Sequence, residues 1–141
     1  RIFNEDAHIF CTRSNEKEYD AIFGDITDPH PNSPSESLLS ASALQVYKNI
    51  LKPEGVLAIQ TDNVQIAPEH VEDINDKLHK QFANMHNFSI VALTLGGLFS
   101  FVCATNSKLL PTKTQAPTNW LDAERIKTNI DLHKYISNWR G

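Results

Sequence analysis

The chain has 141 residues, which is enough for one domain with a hydrophobic core. Apolar residues make up 40% of the chain and charged residues 21%, the composition of an ordinary soluble globular protein. A net charge of −4 without a basic cluster argues against duplex nucleic acid as a partner, and no apolar run approaches the ~20 residues of a membrane helix.

The cysteines and histidines form no recognisable metal or redox motif. Cys11 and Cys103 lie far apart and outside any Cys-x-x-Cys unit, so we expect two buried free thiols in a cytoplasmic protein. The six histidines have no ligand spacing, which predicts that there is no metal site. The chain begins at Arg1 and its only methionine is Met85, so we expect a fragment or a processed product.

Apolar segments alternate with helical patterns through the first half of the chain. "RIFN" is a short apolar stub, predicted as a first strand with Asp6 at its end, and "AHIFCTR" favours a short helix. "YDAIFGDI" is a continuous apolar run, typical of a strand buried on both faces. A helical pattern runs from Leu39 to Leu51 and stops where Pro53 and Gly55 forbid continuation. Its apolar face consists of Leu39, Ala43, Val46, Tyr47 and Ile50.

The second half predicts a strand, a helix and a pair of strands. "GVLAIQT" indicates a second buried strand, and Pro68 suits the first turn of the next helix. The apolar stripe of that helix consists of Val71, Ile74, Leu78 and Phe82. "NFSIVALTL" and "LFSFVCATN" indicate two strands joined tightly at Gly96-Gly97. Residues 109–117 are a polar linker, and 118–141 are predicted to form a tail of two short amphipathic helices.

This order predicts an α/β protein in which a mostly parallel sheet carries an antiparallel strand pair at its edge. Ligands of such sheets bind beyond the carboxyl ends of the strands. The predicted strand ends bring three polar groups to one edge of the sheet. These are Asp6, Asp25 with Asp28, and Gln60 with Asp62 and Asn63.

Two interpretations of the aspartate pair are open at this point. Asp25 and Asp28 could form a turn before Pro29, in front of a helix capped by Ser33 or by Ser40. Alternatively, two carboxylates at one strand end can hold an ammonium group, and one of them can accept its proton. A general base is needed because an alkylammonium, with a pKa of ~10.4, is protonated at neutral pH.

Several segments resemble the spermidine synthase family, the polyamine aminopropyltransferases. "YDAIFGDITDP" followed by "SESL" and "LKPEGVLAIQ" is similar to the family's Asp-x-[Ser/Thr]-Asp-Pro strand end and the segments after it. "EDAHIF" resembles its Gly-Asp-[Gly/Ala] segment, "GGLFSFVCATN" its late glycine-containing strand, and "IDLHKYIS" its tail. With gaps, the likeness covers nearly the whole chain.

The resemblance implies a Rossmann-like sheet of the class I methyltransferase type, here its C-terminal half. It implies transfer of an aminopropyl group from decarboxylated S-adenosylmethionine to a diamine such as putrescine, which leaves methylthioadenosine. It further implies no tightly bound cofactor and a homo-oligomer in the full-length form. The implied roles are Asp25 as general base, Asp28 and Gln60 as amine-binding residues, Asp6 and Ala7 at the adenine, and Pro34, or else Pro31, beside the thioadenosine.

The chain also departs from the family pattern. The loop from His30 to Pro34 is longer than the family's loop and lacks its glycine, and no tyrosine stands near Thr94. The family's glycine-rich loop and ribose-binding acidic residue would precede Arg1. These departures keep two alternatives open: an S-adenosylmethionine-dependent methyltransferase on the same fold, and a non-catalytic remnant that serves as a scaffold.

Overall fold

The computed structural model describes residues 1–27, 33–92 and 96–108. These residues form four helices and four strands. In chain order they are α1 (Ala7–Arg13), β1 (Tyr19–Gly24), α2 (Pro34–Leu38), α3 (Ala41–Ile50), β2 (Leu51–Asn63), α4 (Pro68–His79), β3 (Asn84–Ala92) and β4 (Gly97–Thr105). The predicted linker 109–117 and helical tail 118–141 lie outside the described residues.

The strands form one mixed sheet in the order β1-β2-β4-β3. β1 and β2 are parallel and are connected through helices α2 and α3, as a parallel crossover requires. β4 runs antiparallel to both β2 and β3, and Ala92 pairs with Gly97 at the closed end of the β3–β4 hairpin. The α/β class and the antiparallel pair at the edge are confirmed, although only one of the three described pairings is parallel.

Helices α3 and α4 cover one face of the sheet and bury the core against it. Leu57 and Ile59 of β2 and Val102 of β4 point into this core. On α4 the predicted stripe is confirmed, because Val71, Ile74, Leu78 and the following Phe82 are all buried. On α3 the predicted Ala43, Tyr47 and Ile50 are buried, whereas Val46 is half-buried and Leu44, which was not predicted, is fully buried.

The prediction that β1 is buried on both faces was wrong. Phe23 of β1 is 80% exposed. It pairs with Ala58, which alternates with the core residues Leu57 and Ile59 and therefore faces away from α3 and α4. In the described part of the chain, β1 has β2 as its one strand neighbour, so its apolar sequence lies at a sheet edge.

The prediction of a strand ending at Asp6 was also wrong. Residues 1–4 have no strand pairing in the described chain, and Ile2 is 99% exposed. A strand needs a neighbour for its backbone groups. Asp6 instead begins a helix, since its carboxylate accepts a 3.0 Å hydrogen bond from Ile9 N as the N-cap of α1.

The two serines that competed as helix caps start two different helices. Ser33 precedes α2 with Pro34 at its first turn, although the Ser33 side chain makes no capping hydrogen bond. Ser40 caps α3 by accepting from Ala43 N at 3.2 Å. β2 begins at Leu51, before the predicted start, with a register shift near its beginning.

Both cysteines are free, as predicted, and half-buried. Burial raises the pKa of the thiols of Cys11 and Cys103 above the ordinary value.

Candidate active site

Asp25 and Gln60 lie at the same edge of the sheet. Gly24, the last residue of β1, pairs with Ile59 of β2. The next residues along these two parallel strands are Asp25, which directly follows β1, and Gln60, which lies inside β2 three residues before its end at Asn63. Asp25 is exposed and Gln60 is half-buried. The strand-end prediction is confirmed for Asp25, whereas β2 continues beyond Gln60 to Asn63. Exposure leaves the Asp25 carboxylate open to a ligand.

The chain after Asp25 is tied to the start of α2. The hydroxyls of Thr27 and Ser35 lie 2.8 Å apart, and Ser35 is buried. This hydrogen bond holds the residues after β1 beside the first turn of α2. Asp28 and the alternative Pro31 lie outside the described residues, and Pro34 is the first residue of α2. The roles expected for these three residues stay predictions.

Asp6 and Ala7 lie at the exposed beginning of α1. α1 packs against α3. Burial raises the pKa of Tyr47 on α3 to about 12, with further contributions from Cys11 and Asp6. Asp6 is therefore within electrostatic reach of α3, and no described contact joins it to Asp25 or Gln60.

A β-bulge follows Gln60 in β2. Gln60 pairs with Phe101 of β4, but Asp62 pairs with the adjacent Ser100, so Thr61 is an extra residue. The Thr61 hydroxyl donates a 3.1 Å hydrogen bond to the carbonyl oxygen of Ser100. The strand patterns did not predict this bulge.

Asp62 is buried directly beyond the bulge, and both of its carboxylate oxygens have hydrogen-bond partners. Its Oδ2 lies 3.1 Å from Nδ1 of His70, and its Oδ1 accepts a 2.6 Å hydrogen bond from Asn63 N. The Asp62 side chain is 5% exposed and that of His70 26%. Sequence reasoning placed Asp62 at this edge and missed His70. The available signal was Pro68, which fixes the start of α4 and puts His70 in its first turn.

Asn63 shapes the turn from β2 toward α4. Its Oδ1 accepts hydrogen bonds from Gln65 N at 2.9 Å and Ile66 N at 3.3 Å. Its Nδ2 is buried without a hydrogen-bond partner among the described residues. A Cβ atom on Gly97 would lie 2.7 Å from this Nδ2, so a side chain at the first residue of β4 would push the Asn63 amide out of its position.

Residues 1–114 match the family described as "Spermine/spermidine synthase domain". The chain belongs to this family. It is 30% identical over 101 residues to a polyamine aminopropyltransferase of Sulfolobus acidocaldarius, covering 72% of this chain and 33% of that protein. It is 29% identical over 138 residues to a spermine synthase of Arabidopsis thaliana, covering 92% of this chain and 38% of that protein. The resemblance stated from the sequence motifs is confirmed.

Solved spermidine synthases have the same fold as this family member. One, crystallised with the transition-state analogue AdoDATO, matches with a TM-score of 0.80 at 17% identity over 93% of this chain and 47% of that chain. A spermidine synthase of Thermotoga maritima matches with a TM-score of 0.73 at 16% identity over 94% of this chain and 47% of that chain. The chain therefore spans less than half the length of these structures, and their likeness confirms the Rossmann-like fold class.

In the described ranges 1–27, 33–92 and 96–108, no group of three or more His, Cys, Asp or Glu side chains is placed to hold a metal ion. No helix in the same ranges has both the length and the apolar character needed to cross a membrane.

Proposed function

We propose that the protein containing this chain transfers an aminopropyl group from decarboxylated S-adenosylmethionine to a diamine such as putrescine. The products are a spermidine-like polyamine and methylthioadenosine. Membership of the spermidine synthase family supports the reaction type. The observation that carries the proposal to individual residues is the pairing of Gly24 with Ile59, which sets Gln60 of β2 beside Asp25 at the carboxyl end of β1.

The reaction is a displacement at the carbon next to the sulfonium. The amine nitrogen forms a bond to this carbon, and the carbon–sulfur bond breaks with its electron pair moving to sulfur. The sulfonium becomes the neutral thioether of methylthioadenosine. The nitrogen gives up one proton, for which Asp25 is the proposed acceptor. Alignment of the two substrates would supply much of the rate.

The remaining roles divide the substrates between two parts of the structure. Asp28 and Gln60 would hold the amine, and the exposed carboxylate of Asp25 suits a cationic substrate. Asp6 and Ala7, at the exposed beginning of α1, would contact the adenine. Pro34, at the start of α2, would line the thioadenosine pocket.

The proposal also covers the cellular location, the oligomeric state and the binding partners of the protein. Two free cysteines suit a cytoplasmic location. On the family resemblance, we also propose a homo-oligomer in the full-length form, with no tightly bound cofactor and only small-molecule substrates.

Asp25→Asn in the full protein tests the assignment of the base. Loss of a positioned base should lower turnover by ~10²–10⁴-fold. Asp20→Asn is the matched control, because Asp20 is an exposed aspartate of the same strand whose carboxylate contacts Lys52 at 2.8 Å. Asp20 precedes Asp25 by most of the length of β1, so its substitution should leave turnover unchanged. Wild-type turnover in Asp25→Asn would refute the assignment.

Product analysis tests the reaction itself. The full protein is incubated with putrescine and either S-adenosylmethionine or its decarboxylated form, and the products are identified by mass spectrometry. We expect a spermidine-like product and methylthioadenosine from the decarboxylated form. Transfer of a methyl group alone would establish the methyltransferase alternative, and no transfer from either donor would favour the scaffold alternative.

A further inference from the structure

The bulge at Thr61 places Gln60 and Asp62 on opposite faces of the sheet. In a regular strand, residues two positions apart point to the same face. Gln60 pairs with Phe101, whose ring stacks on that of Phe88 at 5.4 Å on the face away from α3 and α4. Asp62 instead contacts His70 of α4. Gln60 is the last residue of β2 before the extra residue, and a bulge bends its strand, so this bend bears directly on the direction of the Gln60 side chain.

Contacts on both sides of β2 hold the bulge. Toward β4, the Thr61 hydroxyl is bonded to Ser100 O. Toward α4, Asp62 is hydrogen-bonded to His70, and this contact links the bulge to a helix. A contact that fixes Asp62 on the α4 side holds the extra residue in place, and with it the bend of β2 directly after Gln60.

Asp62 is not placed to bind substrate itself. Each of its carboxylate oxygens already has a hydrogen-bond partner, His70 Nδ1 or Asn63 N, and its side chain is only 5% exposed. A carboxylate that anchors an amine needs at least one accessible oxygen. The pair therefore acts through the strand and not through contact with a ligand.

We infer that Asp62 and His70 form a positioning pair, which holds the bulge of β2 and so aims Gln60 at the amine substrate. The inference rests on the proposed function for the identity of the substrate. The link from the pair to Gln60 rests on the register of β2 and on the contacts of Asp62, independently of the substrate. The hydrogen bond between His70 Nδ1 and Asp62 Oδ2 draws the first turn of α4 onto the end of β2.

The test compares three variants of the full protein. His70→Phe keeps an aromatic ring of similar shape at a partly exposed position but cannot hydrogen-bond Asp62. His70→Gln keeps an N–H donor and serves as the rescue variant. Asp73→Asn is the matched control, because it breaks the exposed 2.5 Å ion pair between Asp73 and Lys77 on the same helix.

Two readouts are measured for each variant. The first is the NMR signal of the Gln60 side-chain amide, identified by its loss in Gln60→Glu. The second is the split of KM and kcat for the diamine. We expect His70→Phe to shift the Gln60 signal and to raise KM roughly 10-fold with a smaller change in kcat, as a misaimed binding group should. His70→Gln should have a Gln60 signal and kinetic constants close to those of the wild type. Asp73→Asn should have the wild-type signal and the wild-type constants.

The outcomes separate the inference from the proposed function. A folded His70→Phe with the wild-type Gln60 signal and KM overturns the inference. If this variant does not fold, His70→Ala takes its place with the same expectation. If the wild-type protein transfers no aminopropyl group, the proposed function is refuted. Even then, a Gln60 signal that shifts in His70→Phe but not in Asp73→Asn supports the positioning of Gln60 by the pair.

Discussion

A Cβ atom on Gly24 would lie 2.6 Å from Cγ2 of Ile59 on the neighbouring strand. The two residues are paired across β1 and β2, and Ile59 is only 3% exposed within the core. The residue directly before Asp25 must therefore lack a side chain if β1 is to sit this close to β2. The position of the proposed base depends on a glycine that takes no part in the chemistry.

Gly24→Ala is accordingly expected to strain the end of β1. The added methyl meets a branched, buried side chain, and overpacking of this kind typically costs about 1–3 kcal/mol in the free energy of unfolding. Urea denaturation measures the loss. Ala21→Ser, at an exposed position of the same strand, should change stability by less than about 0.5 kcal/mol. Equal stability of the two variants would contradict the close approach.

Leu44→Ala should be among the more destabilising changes in α3. Leu44 is fully buried in the core, and such truncations cost about 2–5 kcal/mol through lost burial and the cavity left behind. Val46→Ala on the same helix is the control, because Val46 is only half-buried and should lose clearly less. Thermal or urea unfolding ranks the two variants, and the opposite order would refute the described orientation of α3.

Thr105→Val tests a buried hydrogen bond between the end of β4 and the beginning of β2. The Thr105 hydroxyl, in a residue 1% exposed, donates to Gly55 O at 2.7 Å. Valine has nearly the same shape but leaves this carbonyl without its donor, for which we expect a loss of about 1–3 kcal/mol. Thr12→Val makes the same chemical change at an exposed hydroxyl in α1 and should cost little. A similar small effect at both positions would argue against the buried bond.

Tyr47 should make the protein sensitive to alkaline pH. Burial, aided by Cys11 and Asp6, raises its pKa to about 12, compared with about 10 in an unfolded chain. A folded-state pKa above the unfolded value means that the contribution to stability is complete below about pH 10 and is lost as the pH rises from about 10 to 12. Tyr47→Phe removes this titration. The unfolding free energies of the two proteins, measured against pH, should therefore diverge in this window in favour of the variant; parallel curves would contradict the assignment.

Much of the fold could be predicted because its signals are local. Pro68 and the apolar stripe from Val71 to Phe82 mark α4 without reference to any other segment. The placement of Asp25 at a strand end follows from the apolar run before it and the general rule for parallel sheets. Family motifs around Asp25 then identified the class of protein.

The errors arose where pairing between distant segments decides the outcome. Nothing in "RIFN" itself reveals that it has no strand neighbour in the described chain. Asp6 was therefore predicted at a strand end, whereas in the structure it caps helix α1. The exposure of Phe23 likewise depends on what lies beside β1. The bulge at Thr61 is visible only from the pairing of β2 with β4. The contact between Asp62 and His70 depends on the face to which this bulge turns Asp62.

The order of strands in the sheet carries a consequence for how the chain folds. β4 lies between β2 and β3, although β3 precedes it in sequence. The β3–β4 hairpin closes between Ala92 and Gly97 and needs only neighbouring residues, so it can form early. The β2–β4 pairing joins Val56 to Thr105 and must wait for a long loop to close. Docking of the finished hairpin onto β2 is therefore the expected slow step, and it is also the step that creates the bulge beside Gln60.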